Sequence, residues 1–182
     1  MEEKNKAWKT VSSKYLFRRP WLTVRCEDML LPNGNHIPEY YILEYPDWVN
    51  TIAITKKGKF VFVRQYRPGI GRTCYELCAG VCEKEDVSPL VSAQRELWEE
   101  TGYGNGNWQE YMVVSANPST HTNLTHCFLA TDVELIDHQH LEATEDISVH
   151  LFTLEEVRTL LENNEIMQSL NAAPLWKYMA SL

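Results

Sequence analysis

Three glutamates in the run Arg95-Glu96-Leu97-Trp98-Glu99-Glu100-Thr101-Gly102 have the types and spacing to do chemistry. Positions i, i+3 and i+4 lie on one face of an α-helix. Gly102 follows as a helix stop, so the charges crowd the last turn. That placement is unfavourable twice over. Like charges repel at i,i+4, and the helix C-terminus already carries the negative end of the macrodipole. A bound cation would relieve both. Hard divalent cations prefer carboxylate oxygens, so Mg²⁺ suits the cluster best, with Mn²⁺ as a substitute. The competing reading is a solvated acidic helix end, partly compensated by Arg95 and Lys84.

The helix carrying the glutamates starts at Ser88. Serine is a good N-cap, and Pro89 then sits at the first helical position, where its missing N–H costs nothing. Leu90, Ala93 and Leu97 form one apolar stripe, with the three glutamates beside it. On this reading Glu100 lies at a partly exposed helix end. Upstream, Tyr75-Glu76-Leu77-Cys78-Ala79-Gly80 reads as a strand and glycine turn, and an acidic loop runs from Val81 to Val87. Such a loop and helix can fold a backbone carbonyl and three carboxylates around a cation cluster.

Gly80 followed by Arg95-Glu96-Leu97-x-Glu99-Glu100-x-Gly102-Tyr103 resembles the Nudix box, G-x5-E-x7-R-E-U-x-E-E-x-G-U, where U is bulky and apolar. The second half matches at every defined position. The first half departs, with one residue too many between Gly80 and Arg95. The family's loop-supporting glutamate falls on Asp86 counting from Gly80, or on Val87 counting back from Arg95. Arg64-Gln65-Tyr66-Arg67 and Glu76-Leu77-Cys78-Ala79-Gly80 are similar to the Q-Y-R and E-L-P-A-G patterns of ADP-ribose pyrophosphatases and related nucleotide-sugar hydrolases, with Cys78 in place of proline. Pro118 stands where that subfamily carries a proline, and Thr144-Glu145-Asp146-Ile147 resembles the segment bearing its catalytic glutamate. The stretch Asn117-Pro118-Ser119-Thr120-His121-Thr122-Asn123 does not match the subfamily's Ser-Pro-Gly sequence.

The resemblance implies Mg²⁺-dependent hydrolysis of a pyrophosphate bond, in ADP-ribose or a related sugar nucleotide such as GDP-mannose, giving a nucleoside monophosphate and a sugar phosphate. It implies Glu96, Glu99 and Glu100 as metal ligands, joined by the Ala79 carbonyl. Glu145 is the candidate general base, with Glu142 and then Asp146 as competitors. Arg95 orients the carboxylates by an ion pair. Arg67 and Arg64 would grip phosphate, for which the planar guanidinium fork is suited; the alternative for both is a solvated strand edge. Glu76 binds metal through water or holds Arg67. Phe17, Trp21 and Trp48 are available to stack a base, with core packing as the competing role. A second function remains open, a catalytically silent Nudix-like domain that binds ADP-ribose as a sensor, for which the altered first half of the box is the argument.

Composition bounds the alternatives. The 182 residues and 44% apolar content suit one packed domain, with the N-terminus as an extension of the sheet. Seventeen Lys and Arg against 25 Asp and Glu give a net charge of −8, which argues against a nucleic-acid partner. No apolar run has membrane-spanning length, and Met1-Glu2-Glu3-Lys4-Asn5-Lys6 has no apolar stretch behind it, so a cytoplasmic location is expected. An odd number of cysteines, five, suggests free thiols. Cys74, Cys78 and Cys82 run from a strand through a turn and would not converge on a metal. His138-Gln139-His140 reads as a solvated loop or edge rather than as a metal site.

The elements that must position these residues are strands before, between and after two or three helices. Trp21–Cys26 and Tyr40–Tyr45 flank an Asn33-Gly34 hairpin signal, and Val49–Thr55 and Lys59–Gln65 flank Lys56-Lys57-Gly58. Tyr111–Ala116, Thr125–Thr131 and Ile147–Phe152 are further strands. Thr153-Leu154-Glu155-Glu156 is a capping box whose helix buries Leu154, Val157, Leu160 and Leu161, and a last helix follows Gln168, holding Leu175, Trp176 and Met179. The order implies an α+β fold, an α/β/α sandwich of Nudix type with a mixed central sheet and an N-terminal antiparallel β extension. The expected division is an extension over residues 1–48, serving as a dimerisation or swap element, and a hydrolase domain over 49–182. By analogy with relatives, a homodimer is expected.

Overall fold

The computed structural model describes residues 6–182. The chain divides into two units, one running up to Tyr45 together with Asn117–Asn123, the other comprising Pro46–Ala116 and Leu124–Leu182.

The first unit is a three-stranded antiparallel sheet, β1 (Lys9–Arg19), β2 (Leu22–Leu30) and β3 (His36–Glu44), in that spatial order. The Asn33-Gly34 turn joins β2 to β3 as its sequence requires. β1 was not legible as a strand: its apolar residues do not alternate cleanly, and all of it is exposed. Phe17 and Trp21 are exposed, not packed in a core as one reading expected. The Asn117–Asn123 segment belongs here through a Leu43–His121 bridge and a hydrogen bond from the Tyr40 hydroxyl to the Ser119 carbonyl.

The second unit is built on a mixed sheet of eight strands: β4 (Trp48–Thr55), β5 (Phe60–Arg67), β6 (Arg72–Glu76), β7 (Cys78–Val81), β8 (Tyr103–Gly104), β9 (Asn107–Val114), β10 (Thr125–Leu135) and β11 (Ser148–Phe152). The path runs β11-β5-β4-β10-β8, with β6 paired to β5, β7 to β4 and β9 to β10. β4 and β10 are parallel, which makes the sheet mixed. Within them Ile52-Ala53-Ile54 and Cys127-Phe128-Leu129-Ala130 are unbroken buried apolar runs, as expected where both faces of a strand are covered. The helices are α1 (Pro89–Thr101), α2 (Leu154–Glu162) and α3 (Ser169–Ala180). Ile52, Phe60, Phe62 and Leu129 of the sheet pack with Val157, Leu160 and Leu161 of α2 and Leu175 of α3. Ala53, Val61 and Ala130 pack with Leu97 of α1. Among the described residues no helix is long and apolar enough to cross a membrane.

Candidate active site

Helix α1 begins and ends as its sequence dictates. Ser88 Oγ accepts the Val91 N–H at 3.4 Å, and Gly102 adopts a left-handed backbone (φ 73°) whose N–H reaches Trp98 O at 2.8 Å. The chain beyond β10 then folds back over the helix end. Ile136 and Asp137 N–H groups both donate to Gly102 O, at 2.9 and 3.1 Å, and His140 N–H donates to Glu99 O at 2.8 Å. Gln139 Nε2 bridges Glu100 O (2.7 Å) and Ile147 O (3.2 Å). These bonds satisfy carbonyls that a helix end leaves orphaned. A Cβ at Gly102 would stand 2.2 Å from Asp137 O, so glycine is needed for the close approach as well as for φ.

The carboxylates rest on β7. Ala79 N–H donates to Glu100 Oε2 at 3.1 Å and Val81 N–H to Glu96 Oε1 at 3.2 Å. Gly80 lies between them, where a Cβ would come within 2.0 Å of the Glu96 carboxyl carbon. Any side chain there would expel the carboxylate. Glu100 is only 4% exposed, so the expectation of a partly exposed position is corrected. The reason is that Glu100 faces β7 on the same side as the buried Leu97. Burial pushes the Glu100 carboxyl up to about 8; the charges of Glu96 and Glu145 add to this, against the Cys78 thiol and the Ala79 N–H. Glu96 is also raised, first by burial and then by Glu99, with Arg95 opposing.

Arg95 holds this cluster in place. Its Nη1 donates to Glu96 Oε1 (3.0 Å) and Glu99 Oε2 (2.9 Å), and its Nη2 to Val81 O (2.9 Å) and Asp86 Oδ2 (3.1 Å). The bond from Arg95 keeps the Asp86 carboxyl below the ordinary range. Asp86 also accepts the Glu83 N–H and returns its own N–H to Glu83 O, closing a tight turn. The extra residue between Gly80 and Arg95 is thus absorbed. Val87, the alternative position, is 89% exposed and makes no such link.

Arg67 and Glu76 form a two-pronged pair, Nε to Oε1 at 2.8 Å and Nη2 to Oε2 at 2.5 Å, and this pair raises the Arg67 pKa. Glu76 is 2% exposed, so it is the buried half that anchors the fork. Arg64 does not join them. It is three residues from Arg67 on β5, an odd separation that turns it to the opposite face, where it lies over the Tyr75 ring at 5.4 Å. Glu145 sits in a turn closed by its N–H to Glu142 O, and its carboxylate accepts the Glu142 N–H at 2.8 Å.

A cavity of about 360 Å³ opens beside these groups, walled by Arg67, the Ala79-Gly80 backbone, Trp48, Asn50 and Thr125. Trp48 therefore lines this cavity, and Phe17 and Trp21 are not among its walls. Asn50 and Thr125 escaped the sequence reading. Both are buried, and Asn50 Oδ1 and Thr125 Oγ1 have no hydrogen-bond partner. The available signal was an asparagine inside the apolar run of β4. The five cysteines are all free thiols.

The NUDIX domain family model matches residues 45–172, from just before β4 into the first turn of α3, and so includes the glutamates, Arg67, Arg95 and Glu145, whereas β1–β3 lie outside it. The chain belongs to the Nudix family. It is an enzyme, a Nudix pyrophosphohydrolase, and a nucleoside diphosphate sugar hydrolase N-terminal domain matches residues 8–43. An ADP-ribose pyrophosphatase of Bacillus subtilis (strain 168) is 31% identical over 165 residues, covering 90% of this chain and 88% of the relative. A methanol dehydrogenase activator of Bacillus methanolicus is 29% identical over 162 residues, covering 88% of this chain and 86% of the relative. A crystal structure of an ADP compounds hydrolase superposes with a TM-score of 0.85 at 20% identity, over 99% of this chain and 96% of that one. That likeness shows the α+β fold with its mixed sheet, as the sequence implied.

Proposed function

We propose that this Nudix hydrolase cleaves the pyrophosphate bond of ADP-ribose or a closely related nucleoside diphosphate sugar in a Mg²⁺-dependent reaction, giving a nucleoside monophosphate and a sugar phosphate. The observation that carries the reading is one cavity whose wall presents both the Arg67 fork and the β7 backbone on which Glu96 and Glu100 rest. A diphosphate needs a cation on one side and a guanidinium on the other.

The donor set fits a hard divalent cation. It consists of carboxylate oxygens, Glu100 is buried with its pKa pushed up to about 8, and a cation would offset that desolvation. Glu96, Glu99 and Glu100 would hold the ion, with the Ala79 carbonyl as a further donor. When bound, Mg²⁺ neutralises phosphate charge and acidifies water. The chain's own residues do the rest. Arg95 fixes Glu96 and Glu99 in one geometry. Arg67, held by Glu76, turns Nη1 (the nitrogen outside that pair) toward a phosphate oxygen. Glu145, on the segment that Gln139 ties to α1, accepts the proton of the attacking water. A ribose or sugar hydroxyl in the cavity would supply the hydrogen bonds that Asn50 Oδ1 and Thr125 Oγ1 lack, Asn50 Nδ2 being already bonded to Leu170 O.

The altered first half of the box is the argument for the sensor reading, and the Asp86–Arg95 pair, which supplies a loop-supporting carboxylate, favours the enzyme over it. We further propose a homodimer formed through the exposed β1 strand, and a reducing, cytoplasmic setting suited to five free thiols. Incubation with ADP-ribose, GDP-mannose, UDP-glucose, NADH and diadenosine polyphosphates, with and without Mg²⁺, tests the assignment. Preferred Mg²⁺-dependent turnover of ADP-ribose or a sugar nucleotide is expected. Preference for NADH or diadenosine polyphosphates would overturn the substrate class, and binding of ADP-ribose without turnover would restore the sensor reading.

A further inference from the structure

The turn after β10 holds a second group of ligand-type side chains, separate in chemistry from the three glutamates. Asp137 Oδ1 lies 2.7 Å from His138 Nδ1, and Asp137 Oδ2 lies 3.0 Å from His140 Nε2. The donor atoms of all three residues fall within 4.8 Å of one another, the one such group of three among the described residues. The two imidazole centroids are 4.3 Å apart. Both rings turn a nitrogen toward one carboxylate, which a plain pair of hydrogen bonds in a solvated loop would also produce, so hydrogen bonding is the competing account.

The scaffold around the trio favours a metal over that pair. His140 stacks on the Trp98 ring at 4.1 Å with 27° between planes, and its backbone N–H is bonded to Glu99 O. Asp137 is held by its N–H on Gly102 O. Two of the three donors are therefore fixed to the end of α1 before any ion arrives, which lowers the ordering cost of binding. Two imidazole nitrogens and one carboxylate, with open positions toward solvent, form a donor set of the kind that takes Zn²⁺ with water completing its shell. Mg²⁺ prefers all-oxygen sites and is selected against.

We propose that Asp137, His138 and His140 form a second metal site for a borderline divalent transition cation, for which Zn²⁺ is the probe. An ion there would stiffen the turn that its own backbone bonds already hold against the end of α1, upstream of Glu145. The site stands on its own donors and does not depend on the substrate assignment.

The test is a Zn²⁺ titration of the full chain in excess Mg²⁺, read from the ring-nitrogen resonances of each histidine. One equivalent of Zn²⁺ is expected to shift His138 and His140 and to leave His36 and His150 in place. His138→Ala is expected to weaken binding at least about tenfold, in line with the loss of a metal's supporting groups, whereas Glu100→Gln leaves it unchanged. Unmoved His138 and His140 resonances at tenfold excess Zn²⁺ would overturn the proposal. So would shifts in His140 that persist at full affinity in His138→Ala. Should that variant fail to fold, the wild-type ring shifts decide the matter alone.

Discussion

Glu100→Gln should move stability and activity in opposite directions. Glu100 is 4% exposed, and burial raises its carboxyl from an ordinary 4.5 to about 8. A carboxyl raised in the folded state contributes its full stability below the unfolded value and loses it as pH climbs through the folded one. By about pH 8 the metal-free protein therefore carries a penalty on the order of 4 kcal/mol, which is nearly absent near pH 4, below the unfolded value. The amide keeps the side-chain volume and an oxygen for the Ala79 N–H but carries no charge. In chelator near pH 8 the variant should melt about 10 °C above wild type, given about 2–4 °C per kcal/mol for a chain of this size. Near pH 4 the two should coincide. Mg²⁺ should raise the wild-type melting temperature near pH 8 much more than that of the variant. Hydrolysis should fall at least about a hundredfold, about 2.7 kcal/mol of barrier. Thermal melts in chelator and in Mg²⁺ across this range, beside a turnover assay, read all of these. A variant less stable than wild type near pH 8 without metal would refute the desolvation argument, and near-wild-type turnover would refute the ligand assignment.

Arg67→Ala leaves the buried Glu76 unpaired; it should cost about 2 kcal/mol in denaturant unfolding and raise KM, and Arg67→Lys should not restore binding because a single ammonium cannot replace the fork. Gly80→Ala places a methyl where the Glu96 carboxyl lies, so Mg²⁺ affinity measured by calorimetry should drop at least about tenfold. Asp86→Ala frees one arm of Arg95 and should lower kcat about tenfold, while Asp86→Glu, which restores the family's residue type, should keep most of it. Glu145→Gln should lower kcat about a hundredfold with KM nearly unchanged; an equal loss in Glu142→Gln instead would move the general base to Glu142.

Local rules carried far in this chain because the elements near the site obey them. Ser88, Pro89 and Gly102 set the limits of α1, and Thr153 with Glu156 closes the capping box of α2. The carboxylate face of α1 was legible because helical spacing is fixed. What sequence could not supply came from packing across distance. Parity along β5 separates Arg64 from Arg67, but strand bounds must be known before parity can be used. Asp86 and Val87 were equivalent by counting, and the turn at Glu83 chose between them. Gln139 and His140 gained their roles only when the segment after β10 folded onto α1. The burial of Glu100 against β7 likewise depends on the register of β7 against β4, which no local signal sets.

The most direct measurement is mass-spectrometric product analysis of ADP-ribose incubated with the pure protein and Mg²⁺ in ¹⁸O-labelled water. AMP and ribose 5-phosphate, formed only with Mg²⁺ and with one labelled oxygen on one of the two phosphates, are the expected result. Intact ADP-ribose after many protein equivalents, or products formed equally well in chelator, would contradict the account.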